Sequence, residues 1–156
     1  MNHLALLAAS LLAALPWHAL ASNDSDRGRN APLLPAYVQE CGACHTPFAP
    51  GLLPAASWQR LMGSLPRHFG TDASTDTATQ RTLSAWLQQN AGTGKRGREE
   101  PPEDRITRAA WFTREHREFN ASTWKRPAIK SPANCSACHA QATQGRYSEH
   151  DVRVPR

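Results

Sequence analysis

Cysteine is scarce in this 156-residue chain, and its four copies stand at positions 41, 44, 135 and 138 and nowhere else. A disulfide framework of the kind that staples small secreted domains leaves unexplained the histidine that follows each pair. Methionine is scarcer, with only Met1 and Met62. A thioether is therefore available at one internal position, and none lies in the last ninety residues. Long apolar runs are missing too. The single one, Leu4 to Leu15, is too short to cross a bilayer as a helix. Charge is absent from the first 21 residues, so the formal net charge of +5 belongs to the rest of the chain. There the basic residues are scattered among acids rather than forming one run, which argues against nucleic acid as the partner.

What is present is a repeated signature. Cys41-Gly42-Ala43-Cys44-His45 and Cys135-Ser136-Ala137-Cys138-His139 are both C-x-x-C-H. This is the pattern of covalent c-type haem attachment, in which two thiols add to the haem vinyl groups and the adjacent imidazole ligates the iron. A Cys/His zinc site is the bland alternative, but it needs no histidine directly after each second cysteine. The expectation is two covalently attached haem c groups, held by Cys41, Cys44, Cys135 and Cys138, with His45 and His139 as proximal ligands.

The N-terminus has the layout of a secretory signal peptide: an apolar run, then Pro16-Trp17-His18 and the small-residue site Ala19-Leu20-Ala21, with cleavage after Ala21. Its one weak feature is an n-region without Lys or Arg, and the alternative is an uncleaved membrane anchor. Export to the periplasm agrees with c-type haem, whose attachment in bacteria takes place outside the cytoplasm. The 135 residues beyond Ala21 suffice for one ordinary domain or two very small ones. Lobes that small need each haem, a large flat apolar body, to act as core. The haem propionates would cancel about four of the positive charges.

Beyond a polar stretch at 22–31, Pro35 can open a helix leading through Tyr37, Val38 and Cys41 into the first motif. From Pro54 to Pro66, Trp58, Leu61, Met62 and Leu65 form one helical stripe. Asp72 or Thr75 can cap a third helix whose apolar face is Leu83, Trp86 and Leu87, ending near Gly92. Tyr37 and Trp86 either pack where the first and third helices meet or each cover a haem edge. Residues 92–104, rich in Gly, Pro and charge, read as a linker. After it, Ile106, Ala109, Ala110 and Thr113 give a short helical face, 120–132 reads as irregular chain, and Gly145 limits any helix after the second motif. The fold class expected is mainly α: a signal peptide at 1–21, an N-terminal haem lobe at 22–91, a linker at 92–104 and a C-terminal haem lobe at 105–156 with little regular structure.

Each iron has one further axial position, and the mature chain offers His68, His116, His150 and Met62. Met62 belongs to an apolar helical stripe and reads first as core. His68 lies off any stripe, in a loop where the chain can fold back over the opposite haem face. His116 stands near Trp111 and Phe112, which can wall a haem pocket, though a surface place in the charged run Arg114 to Glu118 is its alternative. His150, between Glu149 and Asp151, reads as solvated. The second distal candidate precedes its motif whereas the first follows, so the halves are not a simple duplication.

Trp124-Lys125-Arg126-Pro127, Ser131-Pro132-Ala133-Asn134 before the second motif, Gly145-Arg146-Tyr147, Arg114-Glu115-His116 and Arg67-His68-Phe69-Gly70 together resemble the small bacterial dihaem cytochromes c called DHC. The resemblance covers nearly all of the mature chain. It implies an N-terminal lobe like class I cytochrome c, a C-terminal lobe of little regular structure, and two low-spin bis-histidine haems, His45 with His68 and His139 with His116. It also implies an oxygen-binding monohaem cytochrome c as electron acceptor and a membrane cytochrome b as donor. With both axial positions filled, neither iron is open to a substrate, so the expectation is a monomeric, low-potential electron carrier acting on no small molecule. The rivals are a small dihaem subunit of a periplasmic reductase, in which closer motifs are expected, and a peroxidase-like haem enzyme with one open iron.

Overall fold

The computed structural model describes residues 31–94 and 99–156; the signal-peptide reading of residues 1–21 falls outside the described residues. Pro35 opens α1 (Pro35–Gly42), its missing N–H costing nothing at the first turn. Pro54 precedes α2 (Ala55–Gly63), which stops before the 3-10 turn Leu65–Arg67 carrying Pro66. The third helix, α3 (Thr77–Gln89), starts later than its expected caps. Asp76 is the cap, accepting from the amides of Ala78 and Thr79, while Asp72 accepts from the Ser74 amide in a local turn of its own.

These helices enclose the main core. Leu83 and Leu87, one turn apart on α3, and Leu53 are each 1 % exposed, and such burial contributes about 1.5–3 kcal/mol per side chain. Trp58 and Met62 from α2 and Tyr37 from α1 complete the cluster. The Tyr37 and Trp86 rings lie 5.0 Å apart, which settles that pair as the seam of α1 and α3. Buried polar groups are answered by backbone: Tyr37 Oη donates to the Phe48 carbonyl at 2.8 Å and Trp58 Nε1 to that of Pro50 at 2.7 Å.

The following segment is held to this body. The Gly92 amide donates to the Leu53 carbonyl at 2.8 Å, and a Cβ on Gly92 would stand 2.7 Å from the Gly51 oxygen, so only glycine fits that approach. Pro101 is buried, and Arg60 of α2 pairs with Asp104 at 2.6 Å and Glu100 at 2.8 Å. Where composition reads as free linker, ion pairs fasten the chain to α2.

The C-terminal part has two short helices, α4 (Ala110–Glu115) and the single turn α5 (Ala121–Trp124), and otherwise 3-10 turns. The turn α5 lies inside the stretch read as irregular; Asn120 caps it, accepting from the Ser122 and Thr123 amides. Among the described residues no strand forms, only isolated bridges at His68 with Thr71 and His139 with Val152. A second core crosses between the two parts: Ala49 and Leu52 from the first pack with Ala109, Trp111 and Phe112 of the second. Gly145, at φ +74, faces Leu33 and Ala49.

Candidate haem sites

Cys41 stands on the last turn of α1 and Cys44 just beyond it, so the first motif spans a helix end and His45 follows in the turn. The His45 ring stacks on Phe48, with centroids 4.9 Å apart, and its Nδ1 lies 2.8 Å from the Thr46 carbonyl oxygen. A carbonyl only accepts, so Nδ1 carries the proton and Nε2 keeps its lone pair for a metal. Facing it is His68, at 6.1 Å between centroids and 23° between planes.

His68 is delivered by a tight reversal. Pro66 ends the helical chain, the Thr71 amide donates to the His68 carbonyl at 3.0 Å, and Phe69 and Gly70 both take positive φ, +50 and +95. That is the backbone of a type I′ turn, with Phe69 carrying the strain that glycine would avoid. Arg105 reaches over from beyond the linker, its guanidinium 4.1 Å from the Phe69 ring centre. Between the two imidazoles opens a cavity of about 450 Å³ lined by Cys41, Cys44, Leu53, Leu83 and Leu87 among others. It is an apolar cradle with two thiols at one edge.

The second site is built differently. Cys135–Ala137 is one 3-10 turn, the His139 amide donates to the Cys135 carbonyl at 2.8 Å, and the Arg153 amide donates to that of Cys138 at 2.9 Å. His116 ends α4. Its ring stacks on Phe112 at 4.1 Å, and Nδ1 lies 2.9 Å from the Phe112 carbonyl, which again leaves Nε2 free. Trp124, presented by α5, stands at 5.8 Å from the same ring. The His116 and His139 centroids are 6.2 Å apart with planes at 72°, and Tyr147 meets His139 edge-on at 5.6 Å.

These spacings fit the group that the motifs imply. A metal bound by two imidazole nitrogens at about 2 Å each needs ring centres roughly 6 Å apart, as in both pairs. Burial first, then the neighbouring His45 and Arg105, lowers the His68 pKa; burial and then His116 lower that of His139. Both shifts favour the neutral ring, the form in which an imidazole binds a metal. The Nδ1 atoms of His68 and His139 are buried without a hydrogen-bond partner among the described residues. Burial pushes the Cys41 and Cys135 thiols up to about 11, with Glu40 adding to the effect at Cys41. Among the described residues no three His, Cys, Asp or Glu side chains converge as a bare metal ion would need.

Of the other candidates, Met62 is 5 % exposed in the α2 stripe, and it is the His68 ring that faces His45. His150 is exposed. Sequence reasoning missed Phe48, Thr46 and Arg105. An aromatic residue three places after the first motif histidine is a usable signal for Phe48. No local pattern marks Arg105, which reaches the site across the linker.

A helical chain with two C-x-x-C-H segments, each opposed by a second histidine, defines a c-type cytochrome with two attachment sites. The comparisons place it more closely. The dihaem cytochrome c (DHC) profile matches residues 37–147, and the chain belongs to that family. The solved diheme cytochrome c of Shewanella baltica OS155 is 32 % identical, with TM-score 0.67, over 81 % of this chain and 94 % of that one. Two structures of the Rhodobacter sphaeroides protein are 36 % and 37 % identical, with TM-scores 0.62 and 0.65, each over 73 % of this chain and 96 % of that one. Among curated proteins, none matches the chain. The chain is thus an electron-transfer cytochrome carrying two haem c groups.

Proposed function

We propose that the protein is a periplasmic, low-potential carrier with bis-histidine ligation at both irons, His45 with His68 and His139 with His116. The observation that carries this reading is the pair of imidazole spacings, 6.1 and 6.2 Å. When bound, each haem supplies one-electron exchange between ferric and ferrous iron. The chain's own residues do the rest. Cys41, Cys44, Cys135 and Cys138 anchor, His45 and His116 are fixed in tautomer by the Thr46 and Phe112 carbonyls, and His68 and His139 close the opposite faces. Histidine in place of methionine favours the ferric state and so a lower potential.

Two lobes carry this out, a class I cytochrome c-like one at 22–91 and a second at 105–156, joined by 92–104. Their attachment segments touch: Thr46, next to His45, has its Oγ1 at 3.2 Å from Ser136 Oγ inside the second motif. That contact supports electron exchange between the sites. The donor is a membrane cytochrome b or a soluble protein, and the acceptor another cytochrome, of which an oxygen-binding monohaem cytochrome c is the candidate by family likeness.

Low-temperature electron paramagnetic resonance of the oxidised holoprotein, beside His68→Ala and His116→Ala, tests the ligand set. Two low-spin signals are expected, each lost in one variant. A high-spin signal in the parent protein means an open iron and overturns the ligand assignment.

A further inference from the structure

Charge is divided unevenly along the chain. Residues 105–156 carry ten Lys or Arg against four Asp or Glu, whereas residues 22–91 carry five of each. The C-terminal lobe is therefore the basic end of the molecule, and hydrogen bonds gather several of its cations around the second attachment segment. Lys125 closes α5, and the Lys130 amide donates to the Arg126 carbonyl at 2.8 Å, so the chain from 125 to 130 turns back on itself. Asn134 Nδ2 donates to the Ile129 carbonyl at 3.0 Å, which ties that turn to Cys135. From the other side, the Arg153 amide binds the Cys138 carbonyl, and Arg126 holds the neighbouring Pro155 carbonyl at 2.9 Å.

Lys125, Lys130 and Arg153 are exposed, and among the described residues none of the three is in an ion pair. The contrast with Arg60 of α2 is plain, since Glu100 and Asp104 neutralise it. Val154, 38 % exposed, adds one apolar side chain to the rim. Cations around an apolar spot at an electron-exchange site are the half of a transient interface that steers an oppositely charged protein into place.

We propose that this rim is the docking surface for an acidic redox protein, which exchanges electrons with the chain through the C-terminal lobe. The inference rests on the electron-carrier reading and adds to it a site and a partner chemistry. An anionic lipid surface fits less well, because Val154 is the only exposed large hydrophobic side chain of the described C-terminal lobe and no amphipathic helix accompanies it.

The test uses the mature, oxidised holoprotein and an acidic flavodoxin hydroquinone as probe, followed by stopped flow. Each productive encounter moves one electron: the hydroquinone is oxidised to the semiquinone and the cytochrome is reduced by one equivalent. As salt rises from about 10 to 300 mM, the second-order rate is expected to fall about tenfold. A Lys125→Glu/Lys130→Glu/Arg153→Glu variant is expected to react about tenfold more slowly at low salt, and Arg81→Glu, an exposed position on α3, within about twofold of the parent. A rate indifferent to salt, or an equal loss in both variants, overturns the proposal. Co-sedimentation with phosphatidylglycerol vesicles together with salt-independent flavodoxin kinetics overturns it in favour of a lipid surface. A neutral deazaflavin radical serves as a reductant that needs no docking. If it reduces parent and variants alike, the carrier reading stands whatever the flavodoxin result, and if it cannot reduce the parent, the carrier reading itself falls.

Discussion

The two histidine pairs are equally spaced but not equally oriented, 23° between planes for His45 and His68 and 72° for His116 and His139. One ring of each pair is held in the same way, His45 by a stacked Phe48 and the Thr46 carbonyl and His116 by a stacked Phe112 and the Phe112 carbonyl. The pairs differ in the backbone that brings the opposing ring, the 68–71 reversal for His68 and the turn after Cys135 for His139. Near-parallel imidazoles act on the same iron d orbital and split the set, whereas near-perpendicular ones leave two orbitals close in energy and the g-tensor highly anisotropic. The expected spectrum has one rhombic low-spin signal, lost in His68→Ala, and one with a single large g value, lost in His116→Ala. Two signals of the same rhombicity would refute the assignment of plane angles to sites.

At the scale of elements, short pieces of structure matter in proportion to what they hold. The single turn α5 exists because Asn120 Oδ1 accepts from the amides and hydroxyls of Ser122 and Thr123, and it carries Trp124 to the His116 ring. Asn120→Ala should cost about 1 kcal/mol, read as a lower urea midpoint, and should loosen the His116 site before the His68 one. The Arg60 link to Asp104 makes a pH prediction. Hydrogen bonding from Arg60 holds the Asp104 carboxyl below the usual carboxylate range. A carboxylate whose folded pKa is depressed stabilises the fold above its unfolded pKa, and that contribution is lost as pH falls through the folded value. The stability gap between the parent and Asp104→Asn should be full at pH 6 and shrink below about pH 4; a gap constant with pH would show that the charge is not what Asp104 contributes. These elements also mark how far the sequence could be read. The three longer helices were legible from Pro35, Pro54, Pro66 and the Leu83–Leu87 stripe, because proline and a 3.6-residue period act locally. Within 72–76 four polar residues, Asp72, Ser74, Thr75 and Asp76, compete to cap α3, and only geometry separates Asp76 from Asp72. A four-residue helix is too short to show any period, so only Asn120 could have betrayed α5.

For the molecule as a whole, the four cysteines of the C-x-x-C-H segments were legible because each motif lies within five residues, while the packing that joins the two parts of the chain was not. Ala49 and Leu52 sit among Pro47 and Pro50 with no apolar rhythm, yet they are 1 % and 4 % exposed, buried against Trp111 and Phe112 from the far side of the linker. Phe112 also orients His116, and Phe48, beside Ala49, stacks on His45. The shared core thus touches the ring supports of both iron sites, and the Thr46 to Ser136 hydrogen bond runs alongside it. Two parts of a chain coupled in this way should unfold together. Leu52→Ala, which removes a buried side chain that belongs to neither motif, should cost about 2–5 kcal/mol. In urea, the loss of the low-spin Soret band and of helical circular dichroism should shift by the same amount, in one transition. Two separate transitions, with Leu52→Ala moving only the N-terminal one, would mean that each lobe is stable alone and that the interface merely sets their distance.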